Sequence, residues 1–176
     1  MINYNLKILQ NCNYVLNLEF LCLNENEITS MKPCEKFRKL KELHLNFNSI
    51  EIIEGIETST TLEIFWISEN KIGKLQNLPK CLKTLNVASN FIDKIDNNFI
   101  SLENLEEINF ANNLFINLQD ILILSKLKNL KRLFYYDISY GENPIYTMNN
   151  YRVIYIIFLT LLYRSLLFII YLNWNS

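Results

Sequence analysis

Residues 62–75 read LEIFWISENKIGKL, and the spacing of this stretch recurs along the chain. Apolar residues stand eight, five and three positions before Asn70, and two more stand two and five positions after it. The same spacing surrounds five asparagines in all: Asn26, Asn48, Asn70, Asn90 and Asn113. The phrases begin at Leu18, Leu40, Leu62, Leu82 and Leu105, and Leu130 begins a sixth, so the period is 20–25 residues. A period of this length indicates stacked structural repeats.

The shared phrase L-x-x-L-x-L-x-x-N-x-I-x-x-L is the signature of leucine-rich repeats. Its L-x-L piece has the two-residue period of a strand, with alternate side chains on opposite faces. One such coil cannot bury its apolar side alone, so successive coils stack on one another. We therefore predict an α/β leucine-rich-repeat solenoid, a right-handed superhelix of strands and 3-10 or α-helical turns, with a C-terminal helical cap.

The five asparagines are interpreted as structural. Each marks the point where the chain turns out of the strand, and its carboxamide can satisfy backbone N–H and C=O groups that the turn would leave buried. Stacked, the five side chains would form a ladder through the solenoid.

The repeats divide the chain into four parts. We expect a partial repeat or cap over residues 1–17, five repeats over 18–129, an atypical sixth repeat with a cap helix over 130–162, and an off-pattern hydrophobic tail over 163–176. Within the fifth repeat, the pattern from Gln119 to Asn129 predicts a helix of about three turns. In the sixth, Ile138 stands where an asparagine is expected, and an insertion delays the phrase until Asn143.

The composition argues against catalysis and nucleic-acid binding. The 176 residues carry a formal net charge of −1, which gives no bulk attraction for nucleic acid. His44 is the only histidine and there are three glycines, so neither a Ser–His–Asp triad with a spare base, nor a two-histidine metal site, nor a phosphate loop is expected. Cys22 and His44 in neighbouring repeats leave a Cys–His pair conceivable, but without a third group to orient it. We expect no enzyme activity, cofactor or metal.

Cysteine usage indicates a reducing compartment. Cys12, Cys22, Cys34 and Cys81 show no C-x-x-C spacing and are interpreted as free thiols. The first 25 residues lack the features of a signal peptide, and the chain has no N-x-S/T sequon. We expect an intracellular, cytoplasmic protein, with the nucleus or a cilium or flagellum as alternatives.

The strand period places the residues between the leucines on the concave face, in columns at the third, fifth, seventh and eighth positions of the phrase. From these columns we predict the following partner-binding residues: Phe20, Glu42, His44, Phe47, Ile64, Trp66, Glu69, Asn86, Asn109, Phe134 and Tyr136.

Trp66 is the residue that matters most in this set. It lies between two residues that the register sends inward, so it must face the concave surface, where aromatic and acidic neighbours give it the composition of an interface hot spot. The alternative is a tryptophan that lies flat over its neighbours and shields the sheet. Further along, Asn86 and Asn109 with Ala88 and Ala111 predict a shallow polar stretch that could admit a protruding segment of a partner.

The phrase and its 22-residue spacing resemble the leucine-rich-repeat class typified by a nuclear regulatory subunit of protein phosphatase 1, which also includes axonemal, tubulin-folding and U2 ribonucleoprotein members. The resemblance covers residues 18 to about 162. It implies short helical turns on the outer face near Phe37, Ile56 and 99–102, with residues 78–82 as a tight extended crossing. Asn143-Pro-Ile followed by Tyr151-Arg and an apolar helix is similar to the C-terminal cap of this class, and the inserted Tyr-Gly-x-Asn-Pro is similar to the last repeat of the ciliary leucine-rich-repeat-containing protein 9.

Residues 153–172 form an apolar run with Arg164 as the only charge. The run is long enough to span a bilayer, but a central arginine opposes insertion. Three interpretations stay open: a cap helix followed by a non-native or truncated end, a membrane tail anchor, and a hydrophobic surface for a dimer or partner.

The resemblance and the concave face together suggest a non-enzymatic module that binds a folded protein. By resemblance the partner would be the catalytic subunit of protein phosphatase 1, with Glu42, Trp66 and Glu69 among the contacts. The second hypothesis is a structural protein of cilia, flagella or microtubules, with an axonemal or tubulin-related partner. A ribonucleoprotein scaffold ranks third because no basic arm is present.

Overall fold

The computed structural model describes residues 6, 7, 9 and 17–147. Six strands of three residues each form one parallel sheet in sequence order. The strands are β1 (Phe20–Cys22), β2 (Glu42–His44), β3 (Ile64–Trp66), β4 (Thr84–Asn86), β5 (Glu107–Asn109) and β6 (Arg132–Phe134). Sequential parallel strands with one crossing between each pair are the arrangement of a leucine-rich-repeat solenoid, so the predicted fold class is confirmed.

The register of the sheet is the one predicted from the phrase. Leu43, Phe65, Leu85 and Ile108 are paired along the strand centres, and each side chain is fully buried. The flanking strand residues alternate to the opposite face, as the two-residue period requires. The apolar residues of all the repeats form one continuous core, which includes Leu9 at its N-terminal side.

The asparagine side chains connect each coil to the preceding one. Asn70 is typical: its Oδ1 accepts the N–H of Ile50 at 2.9 Å, and its Nδ2 donates to the carbonyl of Leu45 at 2.9 Å, both one repeat earlier. Nδ2 also donates to the carbonyls of Ile67 and Ser68 in its own turn. Asn48, Asn90 and Asn113 make the equivalent bonds, and Asn26 accepts the N–H of Leu6 at 3.1 Å. The carboxamides therefore supply the pairing that the buried turns require.

The outer face carries short helical segments. They are 3-10 turns at Lys32–Lys36, Asn97–Ser101 and Pro144–Thr147 and the α-helix α1 (Leu118–Leu124). The second repeat departs from expectation, because Ile56 is buried in a segment without a helix. Gly55 passes so close to the Lys32 backbone that a Cβ would lie 2.6 Å from the Lys32 carbonyl oxygen.

Helix α1 is shorter than predicted. It has seven residues rather than the three turns expected over 119–129. Asn117 caps its start by accepting the N–H of Gln119 at 2.9 Å. At its end the Ser125 hydroxyl donates to the Leu122 carbonyl at 2.6 Å, and the chain then bends so that Leu127 and Leu130 can both enter the core.

The insertion in the sixth repeat forms a β-hairpin. Strands β7 (Tyr136–Asp137) and β8 (Gly141–Glu142) pair antiparallel, and we call residues 136–142 the hairpin. Asn143 follows it, fully buried, and its Nδ2 donates to the carbonyl of Phe110 as the ladder asparagines do. Its Oδ1 accepts the N–H of Asn113 at 3.0 Å, where the regular pattern would use the N–H of Phe115. Asn143 thus extends the ladder in a shifted register.

The expected cap helix after Asn150 and the tail at 163–176 lie outside the described residues. Among the described residues, no helix has both the length and the apolar character needed to cross a bilayer.

Candidate docking surface

Three rings stack at the N-terminal end of the concave face. Paired positions on β2 and β3 place His44 beside Trp66, and the two rings lie parallel with centroids 4.3 Å apart. Phe20 contacts the other side of His44 edge-on, at 5.3 Å. Trp66 remains 37 % exposed and Phe20 51 % exposed, so one surface of the stack stays open to solvent. The tryptophan therefore covers His44 and presents apolar area outward at the same time.

One carboxylate contacts this stack directly, and a second lies in the turn after β3. Glu42 Oε1 lies 2.8 Å from His44 Nε2. The two groups are in close contact, but their geometry is not that of a hydrogen bond. We call the following residues the aromatic–acidic patch: Phe20, Glu42, His44, Phe47, Ile64, Trp66 and Glu69. Strands β1 to β3 and the turns that follow β2 and β3 bring all seven together.

The eighth position of the phrase has an unusual backbone. Glu25, Phe47, Glu69, Ser89 and Asn112 all have φ between 49° and 58°, in the left-handed region. Glycine and asparagine adopt this conformation with least strain, whereas a bulky side chain such as phenylalanine rarely does. Phe47 is nevertheless 51 % exposed and contributes little to the core. Because each of the five repeats adopts this conformation at the same position, it belongs to the turn of the repeat, and Phe47 is the bulkiest side chain placed in it.

The concave face is acidic although the chain is nearly neutral. Its four columns contain five carboxylates, at Glu25, Glu42, Glu69, Glu107 and Asp137. The only lysine or arginine in these columns is Arg132, which forms an ion pair with Glu107. Two of these carboxylates, Glu42 and Glu69, belong to the aromatic–acidic patch, which has no lysine or arginine.

The C-terminal half of the concave face differs from expectation. Asn109 is only 8 % exposed, because its Nδ2 donates to Asp137 Oδ2 of the hairpin at 2.9 Å. Ala88 and Ala111 have no exposed surface. The shallow polar stretch predicted here is thus largely closed by the chain itself, and Asn109 is not available to a partner. The remaining predicted residues of this half, Asn86, Phe134 and Tyr136, are half-buried.

Two features of the surface were not anticipated. Tyr140 of the hairpin reaches back to the third repeat, where its hydroxyl lies 3.1 Å from Ser68 Oγ. No periodic signal indicates a contact between residues 72 positions apart. The second feature is a column of alternating charge at the second position of the phrase: Glu19, Lys41, Glu63, Lys83, Glu106 and Lys131. Its alternation is visible in the sequence once the repeats are aligned.

The cysteines do not form a reactive site in the described part. None of the three described cysteines, Cys22, Cys34 and Cys81, forms a disulfide, and burial raises the pKa of Cys81. Cys22 is paired with His44 in the sheet register, but the His44 ring stacks on Trp66 and its Nε2 faces Glu42. Within the described ranges there is no cluster of metal-ligating side chains.

Comparison with known families agrees with this architecture. A family model described as leucine-rich repeat matches residues 29–168. The chain belongs to the leucine-rich-repeat family. The match covers the ladder from Asn48 onward and the whole concave face from β2 to β6.

Two curated relatives are similar to this leucine-rich-repeat chain over part of their length. The protein phosphatase 1 regulatory inhibitor subunit PPP1R7 homologue of Arabidopsis thaliana is 32 % identical over 94 residues, which is 51 % of this chain and 29 % of that protein. The acidic leucine-rich nuclear phosphoprotein 32-related protein of Plasmodium falciparum is 27 % identical over 135 residues, 74 % of this chain and 42 % of that protein. The chain therefore spans less than half the length of either relative.

Solved structures support the fold. An internalin of Listeria monocytogenes matches with a TM-score of 0.64 and 22 % identity, over 76 % of this leucine-rich-repeat chain and 45 % of the internalin. A leucine-rich-repeat protein of Leptospira interrogans matches with a TM-score of 0.66 and 23 % identity, over 79 % of this chain and 35 % of that one.

Proposed function

We propose that this leucine-rich-repeat chain is a non-enzymatic docking module that binds a folded protein on its concave face. The observation that carries the proposal is the partly exposed Trp66, which is stacked on His44, whose ring the Glu42 carboxylate contacts. Large aromatic side chains held rigid in partly exposed positions are the residues that most often dominate binding energy at protein interfaces.

The chemistry of the patch favours a cationic partner surface. Arginine stacks on aromatic faces and pairs with carboxylates, and the patch offers both within one cluster. Glu42 and Glu69 have no lysine or arginine beside them in the concave columns that could compete for them.

The catalytic subunit of protein phosphatase 1 is the first partner we propose. Support comes from the similarity to a protein named as a regulatory inhibitor subunit of that phosphatase. The proposal includes an intracellular location, in the cytoplasm or nucleus. Cysteines stay reduced in these compartments, and a phosphatase partner would be present there.

A ciliary, flagellar or microtubule-associated structural role is the second proposal. The observation that favours it is the inserted segment before Asn143, whose sequence resembles the last repeat of the ciliary leucine-rich-repeat-containing protein 9 and which forms a β-hairpin. Under this proposal the partner is an axonemal or tubulin-related protein.

The test is a capture experiment with the tagged full-length chain and its Trp66→Ala variant. Truncation of a hot-spot aromatic costs about 2 kcal/mol or more, which weakens binding roughly 30-fold. Phe91→Ala is the matched control, because Phe91 is 56 % exposed but follows the ladder asparagine and lies outside the concave columns.

We expect partners to be lost with Trp66→Ala and retained with Phe91→Ala. A phosphatase subunit among the lost proteins supports the first partner, and axonemal or tubulin proteins support the second role. Equal recovery with all three chains would exclude the patch as the binding site.

A further inference from the structure

The hairpin reaches much further over the solenoid than a simple terminal element would. At its base Asp137 accepts a hydrogen bond from Asn109, and Gly141 lies against the side chain of Asn112. At its far end the Tyr140 hydroxyl contacts Ser68. The hairpin therefore contacts concave-column residues of the fifth repeat and, through the Tyr140 side chain, of the third.

The donor in the contact between Tyr140 and Ser68 follows from the neighbouring bonds. The Ser68 hydroxyl donates to Asn46 Oδ1 at 2.9 Å, and the backbone N–H of Ser68 donates to the same oxygen. Serine has one hydroxyl hydrogen, so the Tyr140 O–H must donate to Ser68 Oγ. Because Ser68 has no exposed surface, water cannot readily replace this bond.

Tyr140 is placed next to the aromatic–acidic patch by this contact. Ser68 follows Trp66 by two positions, and residues two apart along an extended segment face the same side. The hairpin thus brings a further aromatic residue to the border of the patch, from a part of the chain that lies 72 residues away.

The tip of the hairpin exposes an apolar side chain on a hydrogen-bonded turn. Ile138 is 87 % exposed, more than any other large hydrophobic side chain in the described part of the chain. The turn that holds it is closed by two bonds: Asp137 Oδ1 accepts the N–H of Ser139 at 2.9 Å, and the Asp137 carbonyl accepts the N–H of Tyr140 at 3.0 Å. Because these bonds already fix the backbone of the turn, less backbone entropy is lost when a partner covers Ile138.

We propose that the hairpin is a second docking element, with Ile138 as its contact residue and the bond between Tyr140 and Ser68 as the lock that preorganises it. This inference rests on the proposed function, because it extends the same docking surface. It defines the partner further: a folded protein that presents a basic surface to the patch and, beside it, an apolar depression that receives Ile138.

Two variants distinguish the contact made by Ile138 from the lock formed by the bond between Tyr140 and Ser68. Ile138→Ser removes the apolar tip and leaves the lock intact, whereas Tyr140→Phe removes the hydroxyl and keeps the ring. Ile52→Ser is the control for a general loss of surface apolarity, because Ile52 is 54 % exposed in the second repeat and lies outside the concave columns. All variants are made in the full-length chain.

The first measurement is hydrogen–deuterium exchange of the free chain. Tyr140→Phe should speed exchange of the backbone amides of Tyr140 and Asn143 at least fivefold, and Ile138→Ser should leave them within twofold of the parent chain. If Tyr140→Phe does not change these rates, the lock is excluded.

The second measurement is affinity, with purified catalytic subunit of protein phosphatase 1 as the probe. If that subunit does not bind the parent chain, the probe is a purified protein whose capture depends on Trp66. Ile138→Ser should weaken binding fivefold or more, Tyr140→Phe should weaken it less and mainly by slowing association, and Ile52→Ser should have no effect. Weakening by Trp66→Ala without any effect of Ile138→Ser would overturn the inference and leave the proposed function standing. Absence of any Trp66-dependent partner would overturn both.

Discussion

The Asn70 carboxamide shows how much one side chain contributes to each coil. It is almost fully buried and takes part in four hydrogen bonds to backbone groups of two successive repeats. Asn70→Ala would leave the buried Ile50 N–H without its acceptor. The carbonyls of Leu45, Ile67 and Ser68 would each lose one of two donors and keep the other, which comes from Asn48, Asn90 and the Phe47 N–H, respectively. We expect the free energy of unfolding to fall by about 1–3 kcal/mol.

Urea denaturation of the full-length chain measures this loss. Asn98→Ala is the control, because Asn98 is exposed and should change stability by less than about 0.5 kcal/mol. A variant at Asn70 that unfolds at the same urea concentration as the parent chain would contradict the ladder.

Phe47 has an unfavourable backbone conformation that burial of its ring does not offset. Its φ of 57° is unfavourable for phenylalanine, and the ring gains little burial in return. Phe47→Asn should relieve the strain and raise the free energy of unfolding by about 0.5–1 kcal/mol, because asparagine tolerates the left-handed region. The same change should weaken binding of the docking partner, since the patch loses an aromatic contact.

Urea denaturation measures the predicted rise in the free energy of unfolding, with Phe91→Asn as the control. Phe91 is equally exposed but is not among the residues with positive φ, so that control should show no gain. Destabilisation by Phe47→Asn would mean that the ring packs more favourably than its exposure indicates.

At the scale of the elements, local periodicity explains what could be predicted. The strands and their register follow from a two-residue alternation that is repeated in every coil, and Phe65 between Ile64 and Trp66 is placed correctly by that alternation alone. The end of helix α1 could not be read in the same way, because the bend that brings Leu127 and Leu130 into the core is a tertiary requirement. The hairpin was visible only as an interruption at Ile138. Its path depends on the bond from Tyr140 to Ser68, which no local pattern encodes.

Helix α1 contains a carboxylate whose burial makes stability depend on pH. Burial raises the pKa of Asp120, while the hydrogen bond from the Ile95 N–H, 2.7 Å long, opposes the rise. The folded chain therefore holds the Asp120 proton to higher pH than the unfolded chain does. In the window above the ordinary aspartate pKa of about 4, the folded state binds more protons, so the free energy of unfolding falls as pH rises.

Asp120→Asn removes this contribution because asparagine does not titrate. We expect the stability of the parent chain relative to Asp120→Asn to decrease as pH rises from about 3 through the raised pKa and then to level off. Urea denaturation across that range measures the difference, with Glu57→Gln as the control, because Glu57 is exposed and is not among the charges that shift the pKa of Asp120. If the stability difference between the parent chain and Asp120→Asn does not change with pH, burial does not raise the pKa of Asp120.

At the scale of the whole molecule, the concave columns and the second-position column differ in how their charges are arranged. The concave columns hold unbalanced acids, whereas the second-position column alternates in sign from Glu19 to Lys131 along the entire sheet. Ion pairs within it join Lys41 to Glu19, Lys83 to Glu63 and Lys131 to Glu106, with N–O distances of 2.7–2.9 Å. Each of the four inner charges of the column therefore has opposite charges on both neighbouring coils, and the column as a whole adds no net charge.

Reversal of one charge in this column tests that arrangement. The pKa of Lys83 is raised by its hydrogen bond to Glu63 and by the charges of Glu63 and Glu106, so a carboxylate at this position would face two others. We expect Lys83→Glu to lower the melting temperature, and the loss to shrink in high salt because the side chains are exposed and screened.

The control is a six-fold variant in which the charge of every residue in the column is reversed. That variant has the same net charge as the parent chain and restores opposite charges between every pair of coils, so its melting temperature should return close to the parent value. Recovery would show that alternation along the solenoid, rather than any one ion pair, stabilises this edge. A six-fold variant no more stable than Lys83→Glu, or a loss that does not respond to salt, would contradict it.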